Sequence, residues 1–121
     1  MRRKILTLFA AVALAAAAPA QAHHGWAGYL DEEFELSGTV VSAELANPHG
    51  LIKVRAQGGV WDVMLSPMPS IVRSGLTRQA LPAGARVTAR GHRHRDPQRL
   101  EMKTERLVVG NRTFDLYPER S

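Results

Sequence analysis

Five histidines are the residues of this sequence whose side chains could do the most chemistry, and they fall into three short groups. His23 and His24 are adjacent, His49 stands in the stretch Asn-Pro-His-Gly, and His92 and His94 are separated by one residue. Neutral imidazole nitrogen is the commonest metal ligand in proteins and suits copper, zinc and nickel. The sequence therefore predicts a metal-binding function with these histidines as candidate ligands.

The first histidine pair follows a segment that is typical of a signal peptide. Residues 2–4 are all basic, residues 5–18 are apolar, and residues 20–22 read Ala-Gln-Ala, the small-x-small pattern that signal peptidase cleaves. We interpret residues 1–22 as a signal peptide, which predicts a periplasmic or secreted protein. The apolar run is shorter than the roughly 20 residues that a spanning helix needs, so we expect no membrane association after cleavage.

Cleavage after Ala22 would give His23 a free amine beside its imidazole. The two nitrogens could chelate one metal, and an imidazole from His24 or His49 would complete a T-shaped set that suits Cu(II). This arrangement resembles the histidine brace of periplasmic copper carriers and lytic polysaccharide monooxygenases. Cleavage after Ala20 would instead place His23 third, as in the amino-terminal Cu(II)/Ni(II) motif. The alternative is a loose terminus that binds no metal.

The other histidines lie in a predicted loop and near a predicted strand end. His49 follows an Asn-Pro pair and precedes Gly50, and these neighbours favour a turn. The turn itself does not require a histidine. His49 is therefore either a functional loop residue or a residue that is hydrogen-bonded within the turn. His92 and His94 would share one face of a strand. We rank this second pair as secondary ligands, because the neighbouring arginines disfavour another cation. These arginines are Arg90, Arg93 and Arg95.

Composition narrows the function classes. The chain has no cysteine, which excludes disulfides and thiolate metal sites, and its +5 charge would fall to about +2 without residues 1–22. Export, this modest charge and the absence of a row of aromatic residues argue against nucleic-acid binding. No Gly-x-Ser-x-Gly elbow, phosphate loop or His-Glu-x-x-His motif occurs, and the acidic run at 31–35 is interpreted as a solvated face. No catalytic residue is predicted, and a binding protein is favoured over an enzyme.

The hydrophobic pattern predicts an all-β fold. Apolar residues alternate with polar ones in several short segments, and turn residues separate these segments. The predicted strands are 35–45, 51–56, 60–65, 85–94, 100–109 and 112–117. A short helix over 67–75 falls between the third and fourth strands, where the OB-fold carries one. We therefore predict a small OB-fold-like barrel of five to six strands over residues 35–121, preceded by an N-terminal segment, 23–34, that carries candidate ligands.

The predicted helix has a start signal, a stop signal and an apolar face. Ser66 is predicted to cap it, and Gly75 is predicted to end it. Its apolar face is predicted from the i, i+3, i+4 spacing of Met68, Ile71 and Val72.

The sequence resembles the DUF6152 family of exported bacterial proteins of unknown function over nearly all of the mature chain. The residues that carry the resemblance are Ala22-His23-His24, Gly38-x-Val40, Asn47-Pro48-His49, Trp61, Gly75 and Leu81-Pro82-Ala83-Gly84. The family often has an aromatic residue just before Asn-Pro-His, where this chain has Leu45-Ala46. The resemblance implies export and a small barrel.

Two functions follow from the sequence. The first is binding of a metal ion, most of all copper, through His23, His24 and His49. The alternative is a metal-free periplasmic binding module that holds a small ligand or a protein partner. Its ligand contacts would be Trp26, Tyr29 and Trp61.

Overall fold

The computed structural model describes residues 25–120, so the predicted signal peptide, His23 and His24 lie outside the described residues. Within this range the chain forms six strands, one α-helix and two 3-10 helices. The strands are β1 (Phe34–Glu44), β2 (Leu51–Ala56), β3 (Gly59–Met64), β4 (Arg86–Arg93), β5 (Glu101–Val109) and β6 (Arg112–Asp115). The α-helix is α1 (Met68–Ser74), and the 3-10 helices are Arg78–Ala80 and Pro118–Arg120.

The strands form one sheet that closes into a barrel. Their order is β3-β2-β1-β4-β5-β6, and neighbours in this order are antiparallel. A parallel pairing of β3 with β5, with Val63 opposite Met102, joins the two sides and closes a five-stranded barrel with β6 as an extra strand. The helix α1 lies between β3 and β4 in the chain. The predicted OB-fold-like architecture is confirmed.

A bulge in β1 explains why apolar residues occur on both faces of its sequence. Leu36 and Val40 are buried, but the pairing with β2 shifts between Val40 and Ser42. The extra residue rotates the strand, since a bulge reverses which side chains point inward. Val41 is exposed, as alternation after Val40 requires, and the bulge turns Ala43 rather than Ser42 toward the core.

The barrel interior holds the apolar side chains that alternate along the strands. Trp61, Val63 and Leu65 are each at most 1% exposed, as predicted for one face of the third strand. Burying an aliphatic or aromatic side chain of this size stabilises the fold by about 1.5–3 kcal/mol. The Trp61 ring stacks on Phe34 at 5.4 Å between centroids, and its indole N–H donates to the Gln57 carbonyl. Trp61 is therefore part of the core.

The short helix differs from the sequence prediction at two residues. Gly75 ends it in the left-handed conformation, with φ of 84°, as predicted. Val72, however, is 68% exposed, because seven residues present only one narrow buried face and Ile71 occupies it. Ser66 does not cap the helix. Pro67 takes the N-cap position and Ser66 is buried, its carbonyl accepting a hydrogen bond from the Gly50 N–H.

The segment before β1 is fastened to the end of β4 by hydrogen bonds. Leu30 N–H donates to the Arg93 carbonyl, and the backbone N–H and the Nε of Arg95 donate to the Gly28 and Ala27 carbonyls respectively. These hydrogen bonds attach residues 27–30 to the end of β4. Among residues 25–120, no helix has the length and apolar character needed to cross a membrane.

Candidate metal centre

His92 lies near the end of β4 and is buried, with 5% of its surface exposed. The preceding residue, Gly91, lets β5 approach closely, since a Cβ at Gly91 would overlap the Lys103 carbonyl oxygen. The Nδ1 of His92 is 3.0 Å from the Glu32 carbonyl oxygen. A carbonyl only accepts hydrogen bonds, so Nδ1 carries a proton and Nε2 is the nitrogen available for other chemistry.

Two carboxylates converge on this Nε2. Oε1 of Glu105 lies 2.6 Å from it, and Oε1 of Glu33 lies 3.8 Å from it. We call Glu33, His92 and Glu105 the His92 cluster. Their ligand atoms all lie within 4.8 Å of one another, and within residues 25–120 this is the one convergence of three such side chains that could hold a metal ion. One imidazole nitrogen and two carboxylate oxygens form a donor set that suits a divalent cation.

An arginine and a tryptophan enclose the His92 cluster. Arg120 Nε contacts Glu105 Oε1 at 3.2 Å, and its guanidinium lies over the Trp26 ring, 4.0 Å from the centroid. Trp26 in turn packs edge-on against His92 at 5.5 Å. Arg120, from the C-terminal 3-10 helix, thus places one permanent positive charge next to the cluster.

The predicted ligand His49 lines a cleft elsewhere on the protein, which we call the His49 cleft. It has a volume of about 260 Å³ and contains one histidine and one thioether. Its lining residues are Gly25, Tyr29, Pro48, His49, Met64, Leu65, Pro67, Lys103 and Tyr117. His49 Nδ1 is 3.1 Å from the Gly50 carbonyl oxygen, so Nδ1 is again the protonated nitrogen. The lone pair of His49 therefore lies on Nε2, and no partner for it occurs among the described residues.

A positively charged side chain, Lys103, also lines the His49 cleft. Lys103 Nζ donates to the Gly25 carbonyl at 2.7 Å and lies 4.6 Å from the Trp26 ring centroid. Burial, followed by the charge of Arg120, lowers the pKa of Lys103 below its usual value. Across the cleft, Tyr29 donates to Glu101 at 2.6 Å, and burial together with this hydrogen bond raises the Tyr29 pKa above its usual range. The pKa shifts of Lys103 and Tyr29 thus both favour the neutral form of the side chain.

The structure places the predicted site residues in two different surroundings. His49 lines the cleft, and His92 joins the two carboxylates of its cluster. His94 does not join His92: its ring packs edge-on against Tyr29 at 5.5 Å, and its Nδ1 accepts a hydrogen bond from the Asp96 N–H. Two of the predicted ligand contacts lie at the His49 cleft. Tyr29 lines it, and Trp26 packs against Tyr117, which also lines it.

Sequence reasoning missed Glu33 and Glu105 as partners of His92. Glu33 belongs to the acidic run that the sequence pattern assigns to a solvated face, and its side chain is indeed 70% exposed. Glu105 is on β5, and only the pairing of β4 with β5 brings it near His92. A signal was available, since Glu105 shares its strand parity with the apolar Leu107 and Val109, and an acidic residue on a buried face usually has a partner.

The arginines near His92 in the sequence contact other groups. Arg90 pairs with Glu35 at 2.9 Å, Arg93 lies over the Trp61 ring at 4.8 Å, and Arg95 bonds to the N-terminal segment. The cation that faces the His92 cluster is instead Arg120, which is distant in sequence.

Comparison with known structures supports the fold alone. A chain of the S. pombe Stn1-ten1 complex superimposes with a TM-score of 0.51 at 12% identity, covering 64% of this chain and 57% of that chain. A chain from the complex of TiaS with a transfer RNA and ATP gives 0.51 at 16% identity, covering 64% of this chain and 18% of that chain. This chain thus spans little more than half of the first protein and under a fifth of the second.

Sequence comparison identifies the family. None of the curated proteins matches this chain. The family model described as "Family of unknown function (DUF6152)" matches residues 11–103, a range that includes all five histidines. The resemblance predicted from the sequence is confirmed, and the chain belongs to the DUF6152 family.

Proposed function

We propose that this protein is exported and binds copper in the His49 cleft, with His23, His24 and His49 as ligands. The observation that carries the proposal is that His49 and Gly25 line the same cleft. Gly25 directly follows His23 and His24 in the sequence. Consecutive Cα atoms are 3.8 Å apart, so both histidines are within about 8 Å of chain from a residue of the cleft wall.

The chemistry of His49 supports its role as a ligand. Its Nδ1–H faces the Gly50 carbonyl, which fixes the tautomer and leaves Nε2 with the lone pair. Histidines that bind metals are commonly held in this way by a carbonyl or carboxylate on the other ring nitrogen. Met64 lines the same cleft, and thioether sulfur is a soft ligand that favours Cu(I). Copper suits this mixture of donors better than a hard cation does.

Lys103 is the group in the cleft that opposes a cation. Its ammonium is already held by the Gly25 carbonyl and the face of Trp26. Its lowered pKa shows that the surroundings disfavour the charged form. Loss of its proton would remove the repulsion and supply a further nitrogen, so we expect copper affinity to rise with pH.

The test compares copper binding by four exported proteins. They are the native protein, one with an extra alanine before His23, His49→Ala, and the matched loop control Asn47→Ala. Under the proposal the first two variants bind Cu(II) at least tenfold more weakly, a loss of ~1.4 kcal/mol or more, and the control is unchanged. Competition titration gives the affinity. The electron paramagnetic resonance spectrum shows whether the inserted alanine has created a different copper site.

Two outcomes would overturn the proposal. Intact mass of the exported protein should show a chain that begins at His23, and a product that retains Met1 would remove the amine ligand. Unchanged copper affinity and spectrum in both variants would exclude the amine and His49 as ligands. The cleft would then be better explained as a metal-free binding site for a small ligand or a protein partner.

A further inference from the structure

We infer that the His92 cluster is a second metal site, separate from the His49 cleft, which takes a divalent ion such as Zn²⁺ through His92, Glu105 and Glu33. Imidazole nitrogen and carboxylate oxygen are both common zinc ligands. The two places do not share a ligand, although Trp26 contacts both His92 and Tyr117 of the cleft. Metal binding at the His92 cluster therefore does not depend on copper binding at His49.

The His92 ring is oriented for metal binding before any ion arrives. Its Nδ1–H is held by the Glu32 carbonyl, and Trp26 packs against the ring. Nε2 is therefore directed at the two carboxylates. A ligand fixed in this way loses little conformational freedom when the metal binds.

The distances within the cluster are close to those of an occupied site. Around a tetrahedral zinc ion with bonds of about 2.1 Å, neighbouring ligand atoms lie about 3.4 Å apart. Nε2 is 2.6 Å from Glu105 and 3.8 Å from Glu33. An ion would push the Glu105 oxygen away from Nε2 by under about 1 Å and draw the Glu33 oxygen closer by less than that. Glu33, whose side chain is 70% exposed, has the freedom to make the inward movement.

Charge also favours a cation. Once the proton shared by His92 and Glu105 has left, His92 is neutral and the two carboxylates carry two negative charges, of which Arg120 offsets one. The 2.6 Å contact between Nε2 and Glu105 requires a proton between them, because two lone pairs would repel at that distance. A metal ion replaces this proton, so binding releases it to solvent.

The test titrates Zn²⁺ into the exported protein that carries the extra alanine and His49→Ala, in which the cleft has lost the His23 amine chelate and the His49 imidazole. We expect one equivalent to bind and about one proton to be released, which calorimetry in buffers of different ionisation enthalpy measures. Glu33→Gln should weaken Zn²⁺ binding at least tenfold. The matched control is Asp31→Asn, which removes one charge from the same exposed run and should change affinity by less than about threefold.

Replacing Arg120 should change the Zn²⁺ affinity, an effect that is not expected if the cluster has only a structural role. Arg120→Gln removes the one cation that contacts the cluster among the described residues, so it should tighten Zn²⁺ binding about three- to tenfold. Absence of Zn²⁺ binding at about 1 mM would overturn the inference, as would equal affinities of the Glu33 and Asp31 variants. Because both residues are exposed, these two variants keep the test decisive even if Arg120→Gln proves unstable.

Discussion

The guanidinium of Arg120 lies 4.0 Å from the ring centroid of Trp26, so the C-terminal 3-10 helix packs on the segment before β1. Lys103 Nζ also lies near the indole, 4.6 Å from its centroid, and the rings of His92 and Tyr117 make T-shaped contacts with it. Trp26 therefore joins two ends of the described chain to the barrel. It contacts both the His92 cluster and the His49 cleft, which makes it a natural reporter for each.

Replacing Trp26 by leucine should loosen the N-terminal segment while the barrel remains folded. Cation–π contacts contribute about 0.5–2 kcal/mol each, and the leucine retains only part of the buried apolar surface. We expect a loss of roughly 2–3 kcal/mol in unfolding free energy, together with faster amide exchange at residues 28–30. Chemical denaturation and hydrogen exchange measure the two effects. Unchanged exchange in this segment would show that its backbone hydrogen bonds suffice without the indole.

Gly91→Ala should destabilise the protein strongly, because β4 and β5 approach each other closely there. The new Cβ would overlap the Lys103 carbonyl oxygen, which belongs to rigid backbone. Such overpacking costs about 1–3 kcal/mol or more. Gly28→Ala is the matched control, since its Cβ would meet His94 Nε2 at an ordinary 3.7 Å. Urea denaturation of both variants checks the prediction, and similar midpoints would contradict it.

Tyr29→Phe should change how stability depends on pH. Burial and the bond to Glu101 raise the pKa of Tyr29, so the folded state keeps its proton at a pH where the unfolded chain has lost it. The stabilisation is complete below about pH 10, near the ordinary tyrosine pKa, and is lost progressively as pH rises above it. The phenylalanine variant should therefore be less stable at about pH 7 and lose less stability between about pH 9 and about pH 11. Parallel stability curves over that range would contradict this prediction.

Replacing one member of the buried His92–Glu105 pair should lower the stability of the protein more than replacing both members does. His92→Leu leaves the Glu105 carboxylate buried, with Arg120 as its remaining charged contact, and such removals cost about 3–5 kcal/mol. Adding Glu105→Met removes the stranded charge, so the double variant should recover much of the loss. Denaturation with a chelator present keeps metal binding out of the comparison. A double variant that is less stable than His92→Leu would show that the carboxylate has another essential partner.

The sequence by itself determined the barrel. Alternation along 51–56 and 60–65 identified the buried faces of β2 and β3, because a strand repeats every two residues whatever surrounds it. Gly75 marked the end of α1 through its freedom to adopt positive φ. The helix face was harder to predict, since Val72 fits the helical spacing but seven residues bury only one narrow stripe.

Only the tertiary structure decided which groups surround each histidine. His92 and His94 share a strand parity, yet their neighbours differ. The β4–β5 pairing brings Glu105 to His92 and the β1–β4 pairing brings Glu33, whereas the bridge to Tyr29 places His94 beside an aromatic ring. Arginines adjacent in sequence contact other groups, whereas Arg120, from the far end of the chain, faces the cluster. Side-chain periodicity is a local property of the backbone, but the partners of a buried charge depend on strand register and chain closure, which join residues far apart in sequence.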